Sequence, residues 1–419
     1  GIIARSEANA TALFGTARTY YSTEGSSQCI RAMLALALQG APKTGKRPVL
    51  LAARNAHKAL LYAAALLDFD IRWLWPSAQA EGALCSCPVT AEALTGALHA
   101  MAQQDNTPFG VYVTSPDYLG GVQDIPALAA VCRAQDVPLL VDNAHGAYLR
   151  FLPQNCHPIA QGAAMCCDSA HKTLPVVTGG AYLHLAHDAP VQDEAAVRGA
   201  LALFGSTSPS YLILQSLDAC NAVLAGDYPR RLVQCCAALE GLRRSLNKAA
   251  AARQCPVPLA VAGAQQEPMK LTLDAAALGC TGTALAEAMR RAQMECEYAD
   301  PRYVVLMFTP ENPPQDYTRL QTALEQLLAA VPAGLSRPEN RAGEFAALQQ
   351  QAVQRCTIRQ AVLGAQVRVP VHKALGRVCA MPTVSCPPAI PVAVSGEEIT
   401  PAAIALMQRY GIEELSVLR

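Results

Sequence analysis

The chain has 419 residues, 33 basic and 33 acidic side chains, and a composition that is 52% hydrophobic and 5% aromatic. This length favours two or more domains, the apolar content argues against disorder, and the charge balance argues against nucleic-acid binding. No apolar run approaches the ~20 residues that span a bilayer, and no signal-peptide pattern opens the sequence, so we expect a cytoplasmic protein without a membrane or nucleic-acid partner.

Short apolar runs alternate with helical stretches through the first half of the chain. Alanine and leucine recur with helical spacing between the runs, as they do over Ile125 to Ala134. This alternation predicts an α/β fold, a mostly parallel sheet covered by helices. The predicted strands are Pro48 to Ala52, Phe109 to Thr114, Val137 to Val141, Ala163 to Cys167 and Ala181 to Leu185.

The pattern changes after about residue 225, where strand-like runs become sparse and helical stretches lengthen. We expect a major domain over 1–225, a smaller α+β domain over 226–332 and a C-terminal appendage over 333–419. The predicted elements beyond residue 225 are strands over Met269 to Leu273 and Val304 to Phe308, and helices over Thr283 to Gln293, Tyr317 to Ala330 and Glu344 to Arg355.

Polar clusters follow four of the predicted strands. In an open α/β sheet, ligands bind beyond the carboxyl ends of the strands, so these clusters predict one ligand-binding crevice. An ordinary solvated loop is the alternative for each cluster, but four clusters at successive strand ends favour a site. They are Arg54 to Lys58, Ser115 to Gly121, Asp142 to His145 and Asp168 to Lys172.

Lys172 is the residue around which we predict the chemistry. The chain has seven lysines, and this one follows a predicted buried strand. A neutral lysine amine forms a Schiff base with an aldehyde, and pyridoxal phosphate uses such a lysine with an acidic partner for its pyridine nitrogen. Asp142, which directly follows a neighbouring predicted strand, is the candidate partner. A solvated surface lysine is the alternative for Lys172 alone.

A phosphate site is predicted at Gly25-Ser26-Ser27, directly before the helical stretch Ile30 to Leu38. Glycine lets the backbone approach an anion closely, and hydroxyls with helix N-terminal amides bind phosphate. A simple serine N-cap is the alternative interpretation.

Two histidines lie in the predicted crevice clusters. His57 is placed to stack on the cofactor ring, and His145 to support the same ring or to shape the substrate side. Outside the crevice clusters, the histidines are interpreted as structural or surface residues: His99, His157, His184, His187 and His372.

The 16 cysteines show neither a CxxC pair nor the spacing of a zinc site. We expect reduced and mostly buried thiols, and no metal ligand set.

Together the polar segments resemble one family, the pyridoxal-phosphate-dependent ornithine/lysine/arginine decarboxylases of the aspartate-aminotransferase fold, which is fold type I. The resemblance runs from near residue 1 to near residue 415. The segments that carry it are Gly25-Ser26-Ser27, Arg54-Asn55-Ala56-His57-Lys58, Ser115-Pro116-Asp117-Tyr118-Leu119-Gly120, Val141-Asp142-Asn143-Ala144-His145-Gly146, Ser169-Ala170-His171-Lys172-Thr173-Leu174, Thr207-Ser208-Pro209-Ser210-Tyr211, Pro387-Pro388-Ala389-Ile390-Pro391 and Gly396-Glu397.

The resemblance implies roles for these residues. Lys172 would bind pyridoxal phosphate covalently, Asp142 would pair with the ring nitrogen, and His57 would stack on the ring. The implied reaction converts arginine, lysine or ornithine to agmatine or a diamine and feeds polyamine metabolism. The residues implied to hold the phosphate are Ser26, Ser27, Ser169 and His171, with Thr207 and Ser208 reaching the phosphate or the site of a partner subunit in a homodimer.

The sequence also departs from the family pattern. The chain begins with Gly1 and has no counterpart of the family's N-terminal Pro-Gly-His type motif, so we expect a truncated chain or a divergent member. Cys386 and Ala389 replace an aromatic residue and a glycine of the terminal motif. After Ser216-Leu217-Asp218, where the family often has an arginine, this chain has Ala219-Cys220-Asn221. An aminotransferase, another lyase of the same fold, and an inactive cofactor-binding member remain alternatives.

The substrate's distal amine or guanidinium requires an acidic or polar partner. Glu397 and Glu398 are the candidates, although a surface loop is the favoured location for both.

Overall fold

The structure, a computed structural model, describes residues 1–76, 83–332, 334–336, 342–384 and 390–419. The chain divides into two compact units. Unit 1 comprises Gly1–Pro116, Gln123–Gly226 and Ala342–Arg419, and unit 2 comprises Asp117–Val122 and Asp227–Arg341. The domain division expected from the sequence stays a prediction.

A seven-stranded sheet forms the centre of unit 1, with strand order β1-β7-β6-β5-β4-β2-β3. The neighbouring pairs from β6 to β3 are parallel, and β7 pairs antiparallel with both β6 and β1. The prediction of a mostly parallel sheet flanked by helices is therefore confirmed. The strands are β1 (Arg18–Ser22), β2 (Val49–Ala53), β3 (Asp70–Leu74), β4 (Val111–Thr114), β5 (Leu139–Asp142), β6 (Met165–Asp168) and β7 (Ala181–Leu185).

Helices of unit 1 cover both faces of this sheet, and a C-terminal part adds small two-stranded sheets β11-β14 and β12-β13. The helices are α1 (Ile2–Phe14), α2 (Gly25–Gly40), α3 (Lys58–Leu67), α4 (Ala91–Gln103), α5 (Ile125–Ala134), α6 (Ala170–Thr173), α7 (Glu194–Leu203), α8 (Tyr211–Ala225), α12 (Ala342–Gln351), α13 (Ile358–Leu363) and α14 (Pro401–Arg409). The C-terminal strands are β11 (Gln366–Pro370), β12 (Thr383–Val384), β13 (Pro391–Ala393) and β14 (Glu414–Leu418).

Alternation along the central strands builds two cores, one on each face of the sheet. In β2, Leu50 and Ala52 pack with residues of α2 and α3, whereas Val49, Leu51 and Ala53 pack with residues of α4 and α5. Successive side chains of a strand point to opposite faces, so a strand covered by helices on both sides is apolar throughout. This is why the central strands were recognisable as continuous apolar runs.

Unit 2 has a three-stranded antiparallel sheet of order β8-β10-β9, accompanied by helices. Its elements are α9 (Tyr228–Ala252), β8 (Lys270–Asp274), α10 (Gly282–Arg291), β9 (Tyr298–Ala299), β10 (Tyr303–Met307) and α11 (Pro314–Ala329). The short segment Asp117–Val122 belongs to this unit, where the Lys270 Nζ donates to the Asp117 carbonyl at 2.8 Å. The described part of the chain contains no helix long and apolar enough to cross a bilayer.

Candidate active site at the carboxyl ends of the strands

The strand ends of unit 1 bring three of the four predicted polar clusters to one edge of the sheet. Because β2, β4, β5 and β6 are parallel neighbours, the residues that follow them lie at the same edge. Arg54 to Lys58, Asp142 to His145 and Asp168 to Lys172 are grouped there. The remaining cluster divides: Ser115 and Pro116 belong to unit 1, whereas Asp117 to Gly121 belong to unit 2.

Asp142 is the last residue of β5, and its carboxylate is held in one orientation. It is 3% exposed, and its Oδ2 accepts a hydrogen bond from the Tyr112 hydroxyl at 3.0 Å. Its Oδ1 accepts the backbone N–H of Ala144 at 3.2 Å. Burial and the neighbouring carboxylate raise the pKa of Tyr112 well above its usual value, so this phenol stays a hydrogen-bond donor. The arrangement presents a fixed anionic acceptor at the strand end.

Lys172 lies on the short helix α6, four residues beyond the end of β6. Its Nζ is 3.0 Å from the Nε2 of His145, a buried residue that follows β5. A lysine ammonium has donors and no acceptor, so Nε2 is the acceptor when the lysine is charged. His145 is therefore placed to receive a proton from Lys172, a role that the sequence did not predict.

His57 caps the N-terminus of α3, where its Nδ1 accepts the backbone N–H of Ala59 at 3.1 Å. Burial lowers the pKa of His57 to about 4, an effect that Asp142 opposes and Lys172 reinforces. His57 follows β2, Asp142 ends β5 and Lys172 follows β6, so the three side chains belong to the same edge of the sheet. His57 is thus a neutral imidazole at neutral pH, grouped with the predicted lysine and carboxylate.

The candidate phosphate residues also meet, at the N-terminus of α2. The Ser169 hydroxyl donates to the Ser26 hydroxyl at 2.8 Å, which joins the turn before Lys172 to the first turn of α2. Gly25 has a φ of 70°, a conformation that glycine adopts without strain, and its N–H donates to the Gly179 carbonyl at 2.8 Å. The cap residue Glu24 makes no side-chain capping hydrogen bond, so the serine N-cap alternative finds no support at this position.

Three other predicted phosphate residues are placed differently. The His171 Nδ1 is 3.0 Å from the Gly180 carbonyl, and burial lowers the pKa of this imidazole. Thr207 and Ser208 are exposed in the loop between α7 and α8, where the Ser208 N–H donates to the Ser206 hydroxyl at 3.0 Å. Their proposed contact with a phosphate or with a partner subunit stays a prediction.

The sequence model of the Orn/Lys/Arg decarboxylase family, major domain, matches residues 1–273, which is more than half of the chain. The chain belongs to the Orn/Lys/Arg decarboxylase family. This is a family of carboxy-lyases, so the sequence-based prediction of the family and of the enzyme class is confirmed. The arginine decarboxylase of Bacillus subtilis is 27% identical over 410 residues, which cover 96% of this chain and 79% of that protein.

Solved lysine decarboxylases share the fold of this Orn/Lys/Arg decarboxylase family member. The constitutive lysine decarboxylase of E. coli superposes with a TM-score of 0.73 at 18% identity, over 99% of this chain and 72% of that chain. A lysine decarboxylase of Francisella novicida gives a TM-score of 0.77 at 18% identity, over 99% of this chain and 71% of that chain. At this identity the likeness concerns the fold.

The terminal motif of the decarboxylase family is represented by Glu397, whose location differs from the expected surface loop. Glu397 is 7% exposed, and its Oε2 lies 3.4 Å from the Arg54 Nη2 and accepts the Val394 N–H at 2.8 Å. Burial raises the pKa of Glu397, and Arg54 opposes this rise. Glu398 is partly exposed and pairs with Arg355 at 2.6 Å. Pro387, Pro388 and Ala389, together with Cys386, lie outside the described residues.

A buried cluster joins Asp168, the end of β6, to His157 and His184, two histidines interpreted from the sequence as structural or surface residues. The Asp168 Oδ2 lies 3.0 Å from the His157 Nε2 and 3.1 Å from the His184 Nε2. Asp168 and both histidines are fully buried. Their chemistry would suit a metal ion as well as hydrogen bonds. The antiparallel pairing of β6 with β7 brings Asp168 and His184 together, and the spacing of residues along the chain gives no signal for it.

Proposed function

We propose that this chain is a pyridoxal-phosphate-dependent decarboxylase of a basic amino acid, arginine, lysine or ornithine, that releases agmatine or the corresponding diamine. The observation that carries the proposal is that Lys172, Asp142 and His57 lie at the strand ends of one sheet edge in a chain that belongs to the Orn/Lys/Arg decarboxylase family. The names of relatives, such as the arginine decarboxylase of Bacillus subtilis, support a basic amino acid as the substrate.

The residues present fit pyridoxal phosphate. An amine on Lys172 and a buried carboxylate on Asp142 are the two groups that the pyridine aldehyde requires from a protein. The first turn of α2 adds hydroxyls of Ser26 and Ser27 and amides that have no acceptor within the helix, a donor set suited to phosphate. Ser169 extends that donor set from the turn that carries Lys172.

Each side chain of the candidate site has a separate role in the proposed reaction. When bound, pyridoxal phosphate supplies an electron sink for the carbanion that loss of CO2 leaves. Asp142 holds a positive charge at the ring nitrogen, and Tyr112 and the Ala144 amide keep that carboxylate oriented. His57, neutral because burial lowers its pKa to about 4, offers an uncharged flat surface for stacking.

His145 and Lys172 handle protons. Lysine reacts with an aldehyde only as the neutral amine, so its ammonium must first lose a proton. The His145 Nε2, 3.0 Å from the Nζ, is the acceptor for that proton. After decarboxylation, the same pair can return a proton toward the substrate carbon, because the Lys172 Nζ and the His145 Nε2 lie within hydrogen-bond distance.

We propose a cytoplasmic homodimer that contributes to polyamine metabolism. Support for a second copy comes from large apolar side chains exposed near the start of α8, in the segment that follows Thr207 and Ser208. Tyr211 is 74% exposed and Leu212 is 66% exposed, so two adjacent large apolar side chains are available for contact with a second copy. The family resemblance implies that Thr207 and Ser208 of this segment reach either the phosphate or the site of a partner subunit.

An absorbance and product assay tests the proposed function. Purified protein incubated with pyridoxal phosphate is expected to develop the visible band of the lysine-bound cofactor, and to release CO2 from at least one of arginine, lysine and ornithine. Lys172→Ala should lose both signals. Lys248→Ala, which removes an exposed lysine of unit 2, is the matched control and should retain both.

The outcomes separate the remaining alternatives. A cofactor band with keto-acid formation and no CO2 would indicate an aminotransferase. A cofactor band with neither product would indicate an inactive member of the family. A band that persists unchanged in Lys172→Ala would contradict the assignment of the cofactor lysine itself.

A further inference from the structure

Asp168 is a buried carboxylate that receives three N–H groups from three different segments. The Asn143 Nδ2 donates to its Oδ1 at 2.7 Å, and the Nε2 atoms of His157 and His184 approach its Oδ2 at 3.0 and 3.1 Å. Asp168 is 0% exposed. This buried carboxylate is costly to replace, because its removal would leave the groups that hydrogen-bond to it without an acceptor.

The protonation of this cluster follows from its surroundings. Burial by itself would raise the pKa of Asp168, but the two histidines and their hydrogen bonds hold it well below its usual range. Burial lowers the pKa of His184, against the opposing effect of Asp168. The Thr19 hydroxyl, 2.8 Å from the His184 Nδ1, can donate to that atom and so favours the tautomer with hydrogen on Nε2. The state that satisfies these groups is an ionised Asp168 with Nε2–H donors.

The cluster adjoins the candidate site, because Asp168 and Asn143 are sequence neighbours of site residues. Asp168 ends β6, and the next residue, Ser169, begins the turn that carries Lys172. Asn143 follows Asp142 at the end of β5, and its backbone N–H donates to the Cys167 carbonyl at 3.0 Å. The hydrogen bond from Asn143 to Asp168 therefore joins the two strand ends that carry Lys172 and Asp142.

We propose that Asp168 is a positioning residue that fixes the distance and orientation of Lys172 relative to Asp142. It does so by holding the end of β5 through Asn143, β7 through His184 and the segment before β6 through His157. This inference rests on the proposed function. It assigns no contact between Asp168 and substrate or cofactor. Positioning matters for the rate, because a displacement of reacting groups by about 1 Å can lower the rate about a hundredfold.

Hydrogen bonds explain the distances between Asp168 and the two histidines without a metal ion. Separations of 3.0 and 3.1 Å are ordinary for N–H···O hydrogen bonds, and each imidazole can supply one hydrogen. One metal ion per chain in protein purified without added metal, lost in His184→Gln, would overturn the positioning assignment in favour of a metal site.

The test uses a pair of substitutions that exchange the charge and keep the hydrogen bonds. In Asp168→Asn, the new amide faces the amide of Asn143, so two donors oppose each other. In the double variant Asn143→Asp/Asp168→Asn, the residue at position 168 again accepts from both histidines and donates to the new carboxylate at position 143. The charge moves by one hydrogen bond while the contacts between the strand ends are restored.

Asp168→Asn is expected to lower kcat about 30-fold and to change KM by less than about threefold, because alignment and not substrate binding is disturbed. Pyridoxal phosphate should still bind, but with an altered visible circular dichroism signal, since that signal reports the orientation of the cofactor. The double variant should recover at least about tenfold in kcat together with the wild-type dichroism. Its thermal stability should stay below wild type, because Asn143 Oδ1 has no donor among the described residues and the carboxylate oxygen in its place would lack one too.

Glu7→Gln is the control for loss of a buried carboxylate elsewhere in unit 1. Glu7 is 5% exposed and accepts from the Tyr21 N–H at 3.1 Å and the Arg198 Nη2 at 2.8 Å. The Glu7→Gln variant should have a lower thermal stability than wild type but the same kcat and visible dichroism. Wild-type activity in Asp168→Asn, or no recovery in the double variant, would overturn the inference. An inactive wild type that fails to bind the cofactor would instead overturn the proposed function.

Discussion

His57 shows how one residue can serve both the fold and the site. Its Nδ1 caps α3 through the Ala59 N–H, which requires a neutral ring with that nitrogen unprotonated. Burial lowers the pKa of His57 to about 4, so the cap persists well below neutral pH. The capping bond also fixes the plane of the imidazole, which is what a stacking residue needs.

The pKa of His57 predicts a dependence of folding stability on pH. The unfolded histidine titrates near 6.5 and the folded one near 4, so the stabilising effect is complete above pH 6.5 and is lost as the pH falls toward 4. The free energy of unfolding should decrease by about 2 kcal/mol from this residue between about pH 7 and about pH 5, as an upper bound because the ring is partly exposed.

Urea unfolding of three proteins at those two pH values measures this effect. His57→Gln retains an acceptor for the Ala59 N–H but cannot titrate, so it should lose less stability on acidification than wild type. His99→Gln, which replaces an exposed histidine of α4, should lose as much as wild type. Equal losses in all three proteins would contradict the assigned pKa.

The hydroxyls of Ser26 and Ser169 predict an effect on cofactor affinity. A hydrogen bond to a charged group contributes about 1.5–3 kcal/mol, so Ser26→Ala or Ser169→Ala should raise the Kd for pyridoxal phosphate at least about tenfold. Because the two hydroxyls also hydrogen-bond to each other, the Kd of the double variant should rise by less than the product of the two single-variant increases. Titration of the visible band measures each Kd. Ser245→Ala, on α9 of unit 2, is the control, and changes below about twofold in the site variants would count against a phosphate role.

At the scale of elements, Arg54 connects the end of β2 to the C-terminal segment of unit 1. Its guanidinium donates to the carbonyls of Pro391 at 3.1 Å and Val392 at 3.0 Å, besides pairing with Glu397. It also lies 5.0 Å and 5.1 Å from the ring centroids of Trp73 and Trp75. The polar cluster after β2 thus has two functions, since Arg54 anchors the C-terminal segment while His57 belongs to the candidate site.

Arg54→Leu should destabilise unit 1 by about 3 kcal/mol or more, because it leaves the Glu397 carboxylate buried without its cation. Trp73 and Trp75 are the two tryptophans of the chain, so their fluorescence reports directly on this site. We expect a shifted emission maximum and a lower urea midpoint. Arg54→Leu/Glu397→Leu should recover most of the stability. Arg355→Ala, which breaks the more exposed pair with Glu398, should cost less than about 1 kcal/mol, and an equal cost for both arginines would contradict the assignment.

The sequence predicted the strands that are buried on both faces and missed those at the sheet edges. β7 was predicted with its observed bounds, and β2, β4, β5 and β6 within two residues at either end. β1 and β3 were missed because Arg18–Ser22 and Asp70–Leu74 mix polar and apolar residues, as edge strands do. Apolar continuity therefore detects a strand only where helices cover both of its faces.

The candidate site was predictable where its chemistry lies within short segments. His57 and Lys172 follow strands and Asp142 ends one, and the rule for strand ends places them at the same edge. The Asp168 cluster was not predictable in this way, because His157 precedes β6 and His184 lies inside β7. Buried polar networks depend on pairing between strands, which residue spacing along the chain does not encode.

At the scale of the whole molecule, the exposed apolar residues need an explanation. Val177, Leu203, Tyr211 and Leu212 are between 44% and 74% exposed. The Val177 N–H donates to the Ser216 hydroxyl of α8 at 3.2 Å, and Tyr211 and Leu212 begin the same helix. Stable interfaces bury about 800 Å² on each partner, with apolar side chains at the centre. A second copy of the chain that covers this surface would also come close to Thr207 and Ser208.

This surface predicts that a single charge abolishes both the dimer and tight cofactor binding. Leu212→Glu places a carboxylate at the centre of the proposed interface, so sedimentation should show a monomer where wild type shows a dimer. If Thr207 and Ser208 reach the site of the partner, the monomer should also bind pyridoxal phosphate at least about tenfold more weakly. Leu363→Glu is the matched control, because Leu363 on α13 is 65% exposed and Leu212 is 66% exposed. It should stay dimeric and bind the cofactor as wild type does. A Leu212→Glu protein that remains dimeric would move the interface elsewhere. A monomer with unchanged cofactor affinity would show that each site is complete within one chain.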